Sequence, residues 1–395
     1  MTYKKLIINL LFGATFFNHL HALAFIPQHN RPLLLLLFPV FIFYIFRYDL
    51  RLKLNLIFWF FSFFFIAFGS TIWNLFFGDI QFYNPELIKR ILSYFIIVYF
   101  FLIGIIFWNN KNLISNKFYT FIITIGLIQI YSILIFPFSN IFISLFENHF
   151  IDSFSSAGDK LLFFEAEPSY VGFLLIFLMI FYEKKNTFVL LIFSILSLSI
   201  RTTILSSLYY IKKRPFTYII IGTTILSLLI VKAEVNYSVF TRLVNVVTFK
   251  QVDRSLHVRN VKNKIGLEII RDYPIFGVGP GQYSVYYTSK YLNHYDLGGS
   301  KELKQSLAMK SKVEDPYSFF IGIVSELGIL SILWILLTFV IFYRNSNRKY
   351  LISILFLILM MGYPFGKPYI WIIFGYIYEE MRFISINNNK LSRIV

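Results

Sequence analysis

The chain of 395 residues contains no cysteine. Disulfides, iron–sulfur clusters and thiolate metal sites are therefore excluded. Charge is scarce as well. Asp, Glu, Lys and Arg make up 14% of the residues, roughly half of what a soluble domain needs to face water. The six His residues show no metal-ligand spacing, with His257 and His294 isolated, so neither a metal nor a cofactor is indicated. No soluble segment carries a basic stripe interleaved with aromatics, which removes nucleic acid as the reason for the formal charge of +17. No internal repeat is visible, which counts against a transporter made of two matched halves.

What is present is apolar bulk: 57% hydrophobic and 21% aromatic residues, with a mean hydropathy of +0.67. Runs such as Leu33–Phe46, Leu54–Phe77 and Ile91–Trp108 are apolar on every side, and a helix without a polar face has no place on a water-facing surface. The fold class expected is all-α, a polytopic transmembrane bundle of about 12 helices, given roughly 20 apolar residues per crossing. The spans fall near 6–26, 32–46, 54–77, 88–108, 118–138, 161–182, 187–200, 202–211, 215–232, 317–343, 349–363 and 366–379. The pair at 187–211 reads as a hairpin of two short helices turning at Arg201. Lys4 and Lys5 precede an apolar stretch with no small-residue cleavage pattern after it, so a retained first helix is expected.

The connections alternate in charge. Lys4/Lys5, Arg47/Arg51/Lys53, Lys111/Lys117, Lys184/Lys185, Lys212/Lys213/Arg214, Arg344/Arg348/Lys349 and Arg382/Lys390/Arg393 fall on one side. Residues 79–86 and 139–159, with Asp79, Glu86, Glu147, Asp152 and Asp159, fall on the other. This is the positive-inside pattern with both termini in the cytoplasm. Three regions follow: a transmembrane bundle over 1–232, a large periplasmic loop over 233–316, and transmembrane helices with a cytoplasmic tail over 317–395. The loop holds twelve Lys and Arg against eight Asp and Glu. Long ordered loops are usually functional, and this balance suits an anionic partner such as a phosphate-bearing lipid carrier.

Several residues stand out against that background. Arg201 is flanked by apolar helix, so it faces a cavity, a partner such as Glu165, a phosphate, or the interface by snorkelling. Glu165 and Glu167 precede Pro168. An acid there either favours the positive end of a helix or bonds sugar hydroxyls and accepts a proton from one. Within the loop, Val258, Val261, Ile265 and Ile269 line one face of an amphipathic helix over Val258–Arg271, while Arg259 and Lys262 point elsewhere. The helix leads into Asp272-Tyr273-Pro274-Ile275-Phe276-Gly277-Val278-Gly279-Pro280-Gly281. Gly277, Gly279 and Gly281 permit a backbone path closed to other residues and let amides converge on an anion or a carbonyl. There is no Gly-Lys-Ser/Thr ending and so no phosphate loop. Asp315 and Tyr317 open the next span, where Asp315 either caps the helix or acts as a polar group at the membrane face. Glu326, within a span, calls for a partner in a structural or a catalytic role.

Together these pieces resemble the O-antigen polymerase and ligase superfamily, membrane glycosyltransferases that include Wzy-like polymerases. The resemblance rests on Arg259, then Pro274-Ile275-Phe276-Gly277-Val278-Gly279-Pro280-Gly281, then Asp315-Pro316-Tyr317-Ser318 and Glu326-Leu327-Gly328. Arg201 matches a second family Arg. The first 160 residues match only as hydrophobic spans. Where ligases have a His before the span, this chain has Tyr317, which favours a polymerase over a ligase or a protein O-oligosaccharyltransferase.

The resemblance implies transfer of a glycan from an undecaprenyl-diphosphate carrier to a sugar hydroxyl of a second carrier-linked repeat unit, without a metal. Arg201 and Arg259, with Arg271 as a third candidate, would hold the diphosphate. With Tyr317 in place of the His no proton acceptor carries over; Glu165, Glu167, Asp315 or no side chain at all takes that role, and Glu167 and Asp315 are the catalytic candidates. Gly277, Gly279, Gly281, Glu165, Tyr317 and Glu326 would shape the substrate site. The product would be O-antigen, capsule or exopolysaccharide. Partners of such an enzyme are the lipid-linked oligosaccharide, membrane lipid, a chain-length regulator and a flippase. A flippase for the same carrier is the rival reading from another functional class.

Overall fold

The computed structural model describes residues 2–17, 33–48, 54–78, 84–135, 168–183, 185, 187–196, 206, 254–295, 303–304, 316, 318–361 and 368–391. Among the described residues every regular element is helical and none is a strand, which agrees with the all-α expectation. In chain order the α-helices are α1 (Tyr3–Ala14), α2 (Phe38–Tyr48), α3 (Leu54–Phe77), α4 (Asn84–Asn109), α5 (Lys117–Ile135), α6 (Pro168–Phe181) and α7 (Phe188–Leu196). The chain continues with α8 (Arg254–Asp272), α9 (Tyr283–Tyr286), α10 (Phe319–Leu327), α11 (Ile329–Asn345), α12 (Lys349–Met361) and α13 (Pro368–Leu391). The hairpin turn at Arg201 and the span at 215–232 lie outside the described residues.

Among the described helices, α3 and α4 are long and apolar enough to cross a membrane. At about 1.5 Å per residue each exceeds the roughly 30 Å of a hydrocarbon core. Helix α4 starts on Asn84-Pro85-Glu86, where a proline loses no hydrogen bond and an acid meets the positive helix end. Pro168 opens α6 and Pro39 sits in the first turn of α2 for the same reason. That proline delays α2 to Phe38, behind a 3₁₀ turn at Leu33–Leu35, so the span expected from residue 32 is shorter.

Two spans need correction. The single helix expected over 317–343 is broken: α10 stops at Leu327, and α11 restarts at Ile329. Gly328 between them has φ 74° and ψ −166°, a region of backbone space open essentially to glycine alone. The last span, expected to end at 379, runs on to Leu391. Its polar stretch stays helical because the charges there are paired: Arg382 reaches Glu379 one turn back at 3.0 Å, and Glu380 binds Arg348 at 2.7 Å.

The core forms where α4 and α13 lie side by side. Gly104 and Gly375 allow the contact, since a Cβ on either would strike the backbone of the facing helix, at Ile372 and Phe101 respectively. Small residues at such crossings let helix backbones approach closely. One end of the bundle gathers chain connections and basic residues. Asn9 bonds Leu113 O and Ser115 N–H, Tyr182 OH donates to Ser115 O, and Arg348 joins Glu183 to Glu380. Lys4 and Lys111 lie over the rings of Tyr48 and Trp108 at this same end. The opposite end holds Tyr369 OH bonded to Thr15 O, and there α3, α4 and α10 meet the segment that follows α8.

The outward surfaces of α3 and α11 are apolar. Phe58, Phe61, Phe65, Phe68, Ile72 and Phe76 form an exposed stripe at helical spacing along α3. Leu330, Leu333, Leu337 and Val340 do the same on α11. The two helices are joined by stacked Trp59 and Trp334 rings at 4.9 Å and by a Trp59 Nε1–H bond to Thr338 Oγ1 at 2.8 Å.

Replacing Gly328 by Ala should lower the thermal midpoint of the purified protein, by the equivalent of ~1–3 kcal/mol of backbone strain. The overlap of the new Cβ with Ile275 O adds to that loss. Gly69→Ala, in α3 with open space around it, is the control and should be neutral or slightly stabilising. Equal midpoints for the two variants would remove the strained break.

Candidate functional site

At the break, Ser325 and Glu326 are left with carbonyls that no later residue of their own helix can reach. The turn after α8 supplies the missing donors. Val278 N–H bonds Ser325 O and Gly279 N–H bonds Glu326 O, both at 2.9 Å, and Ile329 N–H returns to Pro274 O at 2.9 Å. The amides of the glycine turn therefore converge on carbonyls of the helix break. Gly277, Gly279 and Gly281 all have positive φ, at 63°, 96° and 76°, as their spacing suggests. At Gly277 a Cβ would collide with the backbone of Glu326, and at Gly281 with that of Glu86.

Helix α3 closes the turn from its other side. Ser70 Oγ lies 2.6 Å from Phe276 O and 2.9 Å from Glu326 O, and Asn74 Nδ2 donates to Gly277 O at 3.1 Å. Trp73 stacks on Phe276 at 4.6 Å. Four elements, α3, α4, the turn and the α10–α11 junction, thus share one buried polar knot.

The carboxylate of Glu326 has no solvent exposure. Its Oε2 pairs with Arg90 Nε at 3.1 Å and lies 3.3 Å from Tyr94 OH. A fully buried carboxylate keeps its charge only beside an opposite charge, and Arg is the cation that does not give up its proton. Glu326 has the partner that its position within a span calls for. The Tyr94 ring also walls an apolar cavity of about 40 Å³, lined with Trp59, Phe63, Phe319, Trp334 and Trp371. With side chains 7% and 0% exposed, the pair itself sits out of water in a low-dielectric setting.

Neither Arg90 nor Tyr94 emerged from sequence reasoning. The available signal was spacing: Glu86, Arg90 and Tyr94 recur every four residues on one face of α4. Glu86 itself is buried and holds Lys89 at 2.8 Å.

Helix α8 carries the expected apolar face, with Val258, Val261, Ile265 and Ile269 buried against Val278, Tyr283, Tyr286 and Tyr287. Lys262 lies off that face, as expected, yet it is only 4% exposed. The reason is a second buried face. Arg259, Lys262, Asn263 and Gly266 share a helical stripe, and Gly266 touches the Ile321 side chain of α10 so closely that a Cβ would overlap it. Gly266 meets Ile321 and Gly277 meets Glu326, so α8 and α10 run in the same sense. Arg259, half-buried, lies about 10 Å before that contact along α8, whereas α10 begins about 3 Å before it at Phe319, behind the Ser318 cap. Arg271 lies apart, about 18 Å further along the helix axis. It is 75% exposed and paired with Asp272 at 3.2 Å. Arg201, Glu165, Glu167, Asp315 and Tyr317 lie outside the described residues. Among the described residues no cluster of metal-ligating side chains occurs.

The far end of α8 is tied down by tyrosines. Tyr291 OH donates to Asp272 Oδ2 at 2.6 Å and Tyr295 OH to Glu268 Oε1 at 2.8 Å. The Tyr291 hydroxyl holds the Asp272 carboxyl below its ordinary value of 3.8. Burial, and then that carboxylate, push Tyr291 above its ordinary 10.0. The bond favours the fold while Asp272 is charged and Tyr291 neutral. The stability gap between the native protein and Tyr291→Phe should therefore be level between pH 3.8 and 10.0. It should close as pH falls below 3.8 through the folded-state value of Asp272, and narrow above 10.0 as tyrosine ionises in the unfolded chain. Thermal melts across pH check this, and a gap that persists unchanged at acid pH would count against it.

No family model, curated protein or solved structure matches the chain, so its function has to be argued from the residues themselves.

Proposed function

We propose that this protein is a polysaccharide polymerase of the Wzy-like type, a multi-pass glycosyltransferase at the periplasmic face of the bacterial inner membrane. It joins undecaprenyl-diphosphate-linked oligosaccharide repeat units and releases undecaprenyl diphosphate. The observation that carries this reading is Arg259, held on a helix fastened to one end of an apolar bundle. The exposed phenylalanine and leucine stripes on α3 and α11 favour a lipid surround, since contiguous apolar surface of that extent is rare in water. The basic residues gathered at the other end fit a cytoplasmic side.

In the proposed reaction a hydroxyl of the acceptor's terminal sugar attacks the anomeric carbon of the donor repeat. A C–O bond forms there as the bond to the diphosphate oxygen breaks, and the hydroxyl proton passes to Glu165, Glu167, Asp315 or, with no side chain acting, to water. Negative charge grows on the departing diphosphate. Guanidinium groups fixed at that point stabilise the transition state more than the ground state. Arg259 and Arg201 take this role because Arg stays charged and binds phosphate oxygens through two N–H groups at once. Arg271, exposed and paired at the far end of α8, is left out of the diphosphate site.

Purified protein given carrier-linked repeat units should make polymer and free undecaprenyl diphosphate. Arg259→Ala and Arg201→Ala should each cut the rate by about 10²–10³-fold, with partial activity in the Lys variants. Translocation of the carrier without bond formation would make the protein a flippase instead. Reporter fusions near 213 and 345 should be cytoplasmic and a fusion near 290 external. An external reporter at 213 would overturn the hairpin at 187–211.

A further inference from the structure

We infer that Arg90 and Glu326 form a positioning pair that fixes α8, and with it Arg259, against the bundle. The inference rests on the proposed reaction for its kinetic consequence and on the geometry alone for its structural one. Two features of the pair set it apart from simple scaffolding. First, the break at Gly328 is already closed by backbone bonds from Val278, Gly279 and Ile329, so the side-chain pair is not needed to satisfy it. Second, a buried ion pair generally adds little to stability over an apolar pair of similar size, and its attested use is to select one geometry.

The geometry selected here is specific. Arg90 extends from α4 to a carboxylate on α10 whose own carbonyl receives the glycine turn. On the other flank Gly281 packs on the Glu86 carbonyl, with the Arg90 Cβ 3.2 Å from where a Cβ of its own would stand. Tyr94 adds a second contact to the same carboxylate oxygen. Sliding or tilting the turn would therefore have to move the carboxylate, the guanidinium and Gly281 together. Since α8 ends where the turn begins, the pair sets the register in which α8 lies along α10. Arg259 does not touch Glu326 in this scheme; the pair acts through the helix.

The decisive variant is Arg90→Met/Glu326→Leu, which removes both charges, keeps bulk, and leaves the Glu326 backbone carbonyl for Gly279. Because the chain has no cysteine, spin labels can be placed at Leu267 on α8 and Ile88 on α4, which are 55% and 57% exposed. The expected result is a distance distribution between the labels that broadens or shifts in the double variant. Polymerisation should show a kcat lowered by about 10–100-fold with KM for the carrier-linked repeat within about 2-fold. Should the double variant not fold, Glu326→Gln is read in the same two ways. An unchanged distribution overturns the inference whatever the kinetics do, and so does a wild-type kcat in protein whose labels have moved. If the wild-type protein itself makes no polymer, the proposed function falls, and the labels alone decide whether the pair positions α8.

Discussion

Glu326 is bound through its backbone and through its side chain, and the two attachments reach different parts of the molecule. Its carbonyl, freed by the break at Gly328, takes the Gly279 amide and lies within reach of the Ser70 hydroxyl. Its carboxylate, fully buried, takes Arg90 from α4. Backbone carbonyls out of water must find donors, and an enclosed carboxylate must find a cation. A single inserted turn with a single arginine behind it meets both demands. Removing the insertion would leave the α10–α11 junction with unpaired carbonyls. Removing the break would leave the turn nowhere to dock.

That constraint explains why the segment after α8 folds as it does. The turn enters a space walled by backbone on both flanks, so the positions facing Glu326 and Glu86 cannot carry a Cβ. The tyrosines that follow then have to cover the outer face of α8. They do so by stacking Tyr283 on Tyr287 and bonding Tyr283 OH to Lys262 O at 2.7 Å. The result is a small apolar cluster separate from the bundle's core, joined to it through the polar knot and through the contact of Gly266 with Ile321.

Features that depend on a local run of residues were legible in the sequence. The long apolar stretches of α3 and α4, the four-residue face of α8 and the left-handed glycines all follow from periodicity or from what a side chain forbids. Features that depend on a partner far along the chain were not. The residues from 317 to 343 read as one hydrophobic helix because nothing local announces that Pro274 and Gly279 will take over its backbone bonds. Arg90 sits in a short polar patch at the head of an apolar run, and its partner lies 236 positions later. The burial of Lys262 is of the same kind, because an amphipathic pattern shows one buried face, whereas α8 has two: one toward the tyrosines, one toward α10. The end of α13 was set too early because Glu379 and Glu380 look like surface residues until Arg348 and Arg382 are seen beside them.

A charge contributes to catalysis only as far as its position is settled before the reaction begins. A guanidinium that must first be gathered from solvent spends its interaction energy on ordering itself. Arg259 is half-buried on a helix held at its C-terminal end by the knot, Tyr291 and Tyr295, and nearer Arg259 by the Tyr283 bond to Lys262 O, which orders it before the reaction. Arg271, on the same helix and of the same chemistry, projects into solvent beside Asp272, where its charge is screened and partly neutralised. The distinction between the two arginines is thus one of anchoring rather than of residue type. On the proposed reaction it assigns the diphosphate to the arginine whose helix face is buried.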